Sequence, residues 1–394
     1  MPNPATPYAG GPSAGRPLAG LQVVDLSRVL AGPYATQLLG DLGAEVWKIE
    51  RPGTGDETRA WGPPFVEGES AYFLSVNRNK KSATLDFRDP AHLAALRAAI
   101  ASADFVVENF VPGDLKRFGL DAATLRAAHP RLIVCSITGY GQDGPYAQLP
   151  GYDAVLQGFI GLMSVTGEVN GGPLKVGVAV VDILTGAHAL AAMLAALVGR
   201  LRGSGGAALD VSLFEVGVAS MINLAQATLA TGEPARRHGN AHAHIVPYQT
   251  FQCADGALVV AVGNDDQWRR LCAALDLRAL AGEPSLASNP GRIARRAEVV
   301  AALSRRLAEA PRAHWLDRLR AAHVPAGPVR DLAEVMSDPA LAARGMVRSS
   351  TWPGHGVPLP LLATPWLAEG TRAPLRLMPP RLGEHTQEFL ARFG

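Results

Sequence analysis

The chain has 394 residues, of which 48% are hydrophobic and 18% charged, with a formal net charge of +2. This composition suits a globular chain with a sizeable core, with a length that predicts two domains, and it argues against a basic field for nucleic acid or an acidic solvating tail. The three cysteines, Cys135, Cys253 and Cys272, lack C-x-x-C spacing. They argue against a disulfide framework or a zinc site and fit a reduced, cytoplasmic protein.

No apolar run reaches ~18 residues without polar interruption, so no transmembrane helix is expected. Residues 1–17 are rich in Pro, Gly and Ala and read as a loose tail. LQVVDLS (21–27) is a predicted strand, AGPYATQLLGDLG (31–43) a helix with Pro33 in its first turn, and AEVWKIE (44–50) a second strand. Strand–helix–strand with short connections is the signature of a parallel sheet. The first connection offers Ala31-Gly32-Pro33 in place of G-x-G-x-x-G, which argues against a dinucleotide site. A Gly/Pro-rich excursion, 51–65, carries Arg51 and Arg59, and NRNKK (77–81) places three cations in five residues, as a solvated turn or an anion site. SATLDF (82–87), a helix over 90–102, DFVVE (104–108) and RLIVCSI (131–137) continue the alternation. Polar, Gly-rich loops follow the carboxyl ends of these strands, the edge where ligands of open α/β sheets bind. Arg51, Arg88 and Arg117 lie on or after those ends, which fits one polyanionic ligand along the edge.

VAVVDILTGAHALAAMLAALVGRL (178–201) is apolar and β-branched up to a single acid, Asp182, and then a strong helix former. Asp182 is therefore expected near a helix start, where unpaired N–H groups favour a carboxylate. Two readings follow: a stabilising N-cap, or an ionised, poorly solvated carboxylate nucleophile. His188 reads as a packed histidine, and His238, His242 and His244 as a polar loop, since no further ligand nearby completes a metal set. Residues 207–230 are a predicted strand running into an apolar helix. TGEPARRHGNAHAHIVP (231–247) marks a domain boundary. YQTFQC (248–253) and ALVVAVG (257–263) form a hairpin, helices dominate to about 322, and VPAGPV (324–329) marks the return. The expected division is a large domain over 18–230, a smaller α+β domain over 231–329, and a return to the large domain over 330–394.

From about residue 18 to its end the chain resembles the family III (formyl-CoA/carnitine-type) CoA-transferases. The stretches that carry the resemblance are 18–56, NRNKKSATLDF (77–87), VENFVPGDLKRFGL (107–120), SITGYGQDGP (136–145), GYDAV (151–155), VVDILTG (180–186) and LGEHT (382–386). The resemblance implies an α/β fold with a Rossmann-like large domain whose parallel sheet is built from both chain ends, an inserted smaller domain, and an interlocked homodimer. It implies Asp182 as nucleophile, and CoA contacts from Val29, Leu30 and Ala31, from Arg51, from Leu85, Asp86, Phe87 and Arg88, from Asn109, Phe110 and Val111, and from Arg117, Tyr152 and Asp153. It implies acyl-CoA and small carboxylic acids as substrates, with no metal and no permanently bound cofactor.

WGPPF (61–65), SVNRNKKS (75–82) and IVPYQTF (245–251) resemble the branch acting on dicarboxylates. That implies succinyl-CoA as donor and an acceptor such as glutarate, hydroxymethylglutarate or itaconate. Arg28, Arg78, Arg236, Arg237 and the three loop histidines are the candidates to read a distal carboxylate. Leu30, Pro150 and HGNAHAHIVPY (238–248) depart from the formyl-CoA enzymes and argue against formyl or oxalyl substrates. The alternatives are an α-methylacyl-CoA racemase, whose G-H-D stretch is Gly151-Tyr152-Asp153 here, and a non-catalytic CoA-binding scaffold.

Overall fold

The structure, a computed structural model, describes residues 16–352, 356 and 358–394. The expected tail lies outside the described residues except for Arg16 and Pro17. The chain forms two compact units. The first comprises residues up to Leu162, Val176–Glu233 and Pro339–Gly394, and the second Met163–Lys175 and Pro234–Asp338. The segment 163–175, placed by sequence in the large domain, therefore belongs to the second unit, and the first unit resumes at Pro339 rather than near 330.

The first unit is built on six strands: β1 (Gln22–Asp25), β2 (Glu45–Glu50), β3 (Lys80–Thr84), β4 (Phe105–Glu108), β5 (Ile133–Thr138) and β6 (Ala207–Ser212). All pairs are parallel, in the order β3-β2-β1-β4-β5-β6. Side chains alternate between two apolar layers, as a period of two requires. Val23, Val46, Phe105, Ile133 and Cys135 enter one core with α1 (Ala31–Asp41) and a 22-residue helix, Val180–Leu201. Val24, Trp47, Val106 and Val134 enter the other with α2 (Pro90–Ser102) and the last helix, Thr386–Phe393.

All six strands come from residues 22–212, which corrects the expectation of a sheet drawn from both chain ends. The C-terminal return instead supplies a helix, with Phe389 edge-on to Trp47 at 5.2 Å, and a separate hairpin, Val347–Thr351 with Pro358–Leu362. The third strand starts at Lys80, two residues earlier than expected, because the register pairs Val46 with Lys80 and Glu50 with Thr84. The apolar run after β6 is two helices, Leu213–Ser220 and Ile222–Thr231, bent by 80° where Ile222 takes φ +38°.

The helix Val180–Leu201 is long and apolar enough, by length and composition, to cross a membrane. Its Val181, Ala189, Met193 and Leu197 are nevertheless buried in the core beside the sheet. His188 is exposed on its outer face, not packed, and its ring bonds the Leu184 carbonyl one turn back.

The second unit holds a three-stranded antiparallel sheet, Tyr248–Cys253, Gly256–Ala261 and Ala326–Pro328, packed by helices around Trp268 and Trp315. The stretch at 324–329, read as the return, thus supplies the third strand of this sheet. Cys135, Cys253 and Cys272 are all buried and unpaired.

Candidate functional site

The strand order reverses direction between β1 and β4, and in parallel sheets ligands bind outside the carboxyl ends at that switch point. Arg28–Ala31 follow β1, Asn109–Pro112 follow β4, and Ile137–Gly139 end β5 and follow it. With Leu149–Tyr152, Leu213 and Asp182 they wall an open cleft of about 190 Å³.

Two glycine contacts let the wall close. A Cβ on Gly151 would lie 2.5 Å from the Gly139 Cα, and one on Gly139 would lie 2.8 Å from the Gly151 Cα. Only glycine at both positions allows the loop after β5 to meet the chain entering α3 (Asp153–Phe159). Gly186 does the same for Val180–Leu201, hereafter α4: a Cβ there would stand 2.6 Å from the Ala31 carbonyl. The N-terminal turns of α1 and α4 thus lie side by side at the cleft.

Asp182 is in the first turn of α4, 9% exposed. It is not the cap. The N-cap is Ala179, which offers no side chain, and Asp153 caps α4 from the neighbouring helix. One Asp153 oxygen accepts the N–H groups of Val181 (2.8 Å) and Asp182 (3.2 Å). The other accepts from Gln157 Nε2 at 2.6 Å. Asp153, expected to contact CoA, is therefore occupied in positioning α4.

No ion pair among the described residues involves the Asp182 carboxyl. Burial, and then the charge of Asp153, push its pKa up to about 7. This corrects the expectation of a fully ionised group: desolvation and a like charge outweigh the helix terminus. Tyr72, missed by sequence reasoning, stands in the same field. Burial, and then the charges of Asp182, Asp153 and Asp56, push its phenol up to about 12. Its ring meets Trp61 edge-on at 5.3 Å. The aromatic stretch WGPPF, just before it in sequence, was the available signal.

The loop between β1 and α1 is fixed from below. Ser27 N–H donates to Asp25 (3.0 Å), and the Ser27 carbonyl accepts from Lys48 Nζ (2.9 Å). Asn109 clamps Arg28 twice, accepting its N–H at 2.9 Å and donating to its carbonyl at 2.7 Å. That amide, expected to touch CoA, is thus spent on the loop. Val29 has φ +70°, a left-handed conformation that costs a β-branched residue ~1–3 kcal/mol. Its N–H donates to the Asp56 carboxylate, 3.2 Å from each oxygen. Asp56 is 1% exposed and pairs with Lys48 at 2.9 Å. Burial alone would raise its pKa, but Lys48 and the Thr58 donors hold it down to about 2.

Val29, Leu30, Ala31, Asn109, Phe110, Val111 and Tyr152 are thus brought together with Asp182. Leu30 is 7% exposed, and Tyr152 is 56% exposed. Pro150 is also on the wall. The remaining expected contacts do not line this cleft. Arg51 is exposed just after β2. Leu85 is 2% exposed in the core, so its side chain is unavailable to a ligand. Arg88 folds back on Asp86 with contacts of 3.0 and 2.8 Å. Phe87 meets Phe118 at 5.6 Å, and the Arg117 guanidinium lies over Phe118 at 4.7 Å, so these three form their own cluster past the strand ends.

The NRNKK cations are not an anion site. Arg78 binds Asp41, Lys80 is fully buried against Asp25, and Lys81 reaches Glu45 and Glu388. Arg237 donates to the carbonyls of Ser164, Glu168 and Gly171. Of the cations named for a distal carboxylate, Arg28 is the one on the cleft wall, paired with Glu57 at 2.5 Å and stacked on Phe110. Arg59, noted in the excursion, is 8% exposed and forks onto Glu50 with two 2.8 Å bonds.

Comparison with known proteins supplies what geometry alone does not. The chain is 43% identical over 386 residues to a succinate–glutarate CoA-transferase of Agrobacterium fabrum, covering 96% of each chain. It is 42% identical to a succinyl-CoA:glutarate CoA-transferase of Homo sapiens, covering 95% of this chain and 85% of that one. A crystal structure of a CAIB/BAIF family protein from Brucella suis, 42% identical, superposes with a TM-score of 0.85 over 96% of this chain and 100% of its own. Residues 18–386 match the family described as CoA-transferase family III, and the chain belongs to that family.

Proposed function

We propose that the protein moves CoA from succinyl-CoA to a dicarboxylate, glutarate foremost, with Asp182 as nucleophile. The observation that carries the reading is Asp182: a buried carboxyl on the wall of the switch-point cleft, with no cation beside it and a pKa near neutrality. Such a group ionises in the working range and is poorly solvated when it does, as a carboxylate nucleophile requires. The relatives that act on succinate or succinyl-CoA and glutarate support the substrates.

The Asp182 carboxylate attacks the thioester carbonyl of succinyl-CoA and expels CoA thiolate, leaving a succinyl–aspartyl anhydride. The thiolate attacks the aspartyl carbonyl, releases succinate and forms an aspartyl-CoA thioester. Glutarate then attacks that thioester, expelling the thiolate and forming a glutaryl–aspartyl anhydride. The thiolate attacks the glutaryl carbonyl, giving glutaryl-CoA and the Asp182 carboxylate. No net proton or electron is exchanged. Each oxyanion needs donors nearby, and Ala31, in the first turn of α1 where no side chain caps the helix, is on the wall of the same cleft.

Asp182 also answers the non-catalytic scaffold, which has no use for an uncompensated buried acid. Tyr152 stands where a racemase of this fold carries the histidine of G-H-D, so the proton acceptor that reaction needs is missing from the stretch. Arg28 is proposed to read the distal carboxylate, since a buried second charge needs a cation. Val218, Ile222 and Leu229 leave an apolar surface exposed on the two helices after β6, which supports a homodimer as the working form. A cytoplasmic location is proposed with it, supported by the three free cysteines.

The test is to mix succinyl-CoA with isotope-labelled glutarate and follow label into glutaryl-CoA. Label in the thioester, with butyrate and formate transferred far more slowly, is the expected result. Equal rates for all three acids would leave the transferase class and overturn the dicarboxylate reading.

A further inference from the structure

We propose that Asp56, held by Lys48, is a positioning residue: it keeps Val29 in its left-handed conformation and so aims the N-terminal turn of α1 at the Asp182 carboxyl. The proposal rests on the reading of Asp182 as the reacting group.

The loop from Ser27 to Val29 is held at each backbone polar group up to the Val29 N–H. Asp25, Lys48 and Asn109 take those of Ser27 and Arg28, and Asp56 takes the N–H of Val29. Val29 is where the chain turns out of the strand and into α1. A valine does not rest at φ +70° unless its surroundings over-determine it. On the Val29 N–H itself the partner is one buried carboxylate, Asp56. Asp56 is itself pinned by the Thr58 N–H (3.0 Å), the Thr58 hydroxyl (2.8 Å) and Lys48 (2.9 Å), while its own N–H donates to Glu50 at 3.0 Å. Lys48 bonds both Asp56 and the Ser27 carbonyl, so one ammonium group brackets the turn from either side.

Beyond Val29 the constraint changes. Gly186 brings the Ala31 carbonyl against α4, which fixes how close the two helix termini stand. It does not fix the direction in which the first N–H groups of α1 point. The Val29 conformation does that. Donors must be aimed at the developing oxyanion before reaction to act on it, and a displacement of about 1 Å is worth about 100-fold in rate.

Asp56→Asn keeps the shape and the Thr58 contacts, and Lys48 remains in the field of Asp25 and Glu50. The expected result is a folded protein with kcat lowered about 100-fold, KM for succinyl-CoA changed less than about threefold, and Val29 and Leu30 amides exchanging with solvent at least about tenfold faster. Adding Val29→Gly to Asp56→Asn should recover about tenfold in kcat without recovering thermal stability, because glycine adopts φ +70° unaided. A purely structural role for Asp56 predicts no such recovery. If Asp56→Asn does not fold, Val29→Pro carries the test, since it removes the N–H and forbids positive φ without touching the buried charges.

Parent-like kcat in folded Asp56→Asn or Val29→Pro, or no recovery with Val29→Gly, overturns the proposal. The exchange measurement needs no substrate. Unchanged protection in Asp56→Asn overturns the positioning role whatever the reaction proves to be, whereas failure of the parent to label glutaryl-CoA overturns only the assigned reaction.

Discussion

Asp182 and Asp56 are both buried carboxyls beside the same loop, and their settings are opposite. Asp56 has an ammonium group, a hydroxyl and two backbone N–H donors, and its pKa falls to about 2. Asp182 has burial and a second carboxylate, and its pKa rises to about 7. Burial is common to both, so partners decide the outcome. The paired acid holds the backbone in a costly shape, and the unpaired one is left reactive. Removing the first should misaim the loop that faces the reacting group, and removing the second should take away the reacting group itself.

The sharpest break in the comparison is Asp182→Asn. CoA transfer should fall by about 10⁴-fold, read by label exchange, while circular dichroism and CoA binding stay close to the parent. A variant within tenfold of the parent would remove the distinction between the two acids.

Next comes Lys48→Ala, which strands Asp56 without its cation. Leaving a buried charge unpaired costs ~3–5 kcal/mol, measured by denaturant unfolding at pH 7. A loss below about 1 kcal/mol would mean that water, not Lys48, compensates Asp56.

The third effect is in the pH dependence, where the two acids have opposite signs. The Asp182 pKa rises on folding, so the native state keeps a proton that the unfolded chain releases. Its contribution is fully present below pH 3.8 and is lost as pH rises toward about 7. Asp182→Asn should therefore be more stable than the parent at pH 8 by up to about 4 kcal/mol, and equal to it near pH 3.5. The Asp56 pKa falls on folding, so its contribution is present above pH 3.8 and is lost as pH drops through about 2. Over the same range as the Asp182 loss, kcat/KM should climb to a plateau above pH 7, as the nucleophile ionises. A flat kcat/KM between pH 5.5 and 8 would contradict the raised pKa.

The smallest expected effect lies farther along the strand ends. Arg117→Ala should raise KM for succinyl-CoA by about three- to tenfold, more at low salt, with kcat unchanged. Arg117 is exposed, stacked on Phe118 and off the wall of the Asp182 cleft, so the effect expected is on binding and not on the reaction. A fall in kcat instead would place it in the reaction.

Much of this arrangement was readable from sequence because it is local. Alternation marked the six strands, and Asp89 before Pro90 marks the start of α2, whose bounds coincide with those expected. The cleft loops were legible as polar breaks after strand ends. What was not legible depends on residues far apart in the chain. NRNKK reads as free cations until Asp41 and Asp25 arrive from other elements, 37 and 55 positions away. GYDAV reads as a ligand contact until Asp153 is seen capping a helix that starts at Val180. The Asp182 pKa follows from that same encounter. Gly139 and Gly151 looked like loop glycines, and only the 2.5 Å that would separate a Cβ on Gly151 from the Gly139 Cα shows why no other residue serves.

The three buried cysteines have a consequence for fidelity. Thioester exchange between thiols is nearly thermoneutral, so an accessible cysteine thiolate beside an acyl-CoA becomes acylated and diverts the group. Here Cys135 and Cys272 are 0% exposed and Cys253 is 3% exposed. Burial pushes the Cys135 and Cys272 thiols up to about 12 and raises Cys253 as well. The thiolate is the nucleophilic form, and these side chains hold almost none of it at neutral pH. An acyl group in the cleft therefore meets a protein carboxylate and no protein thiol, and the CoA sulfur has no rival of its own kind.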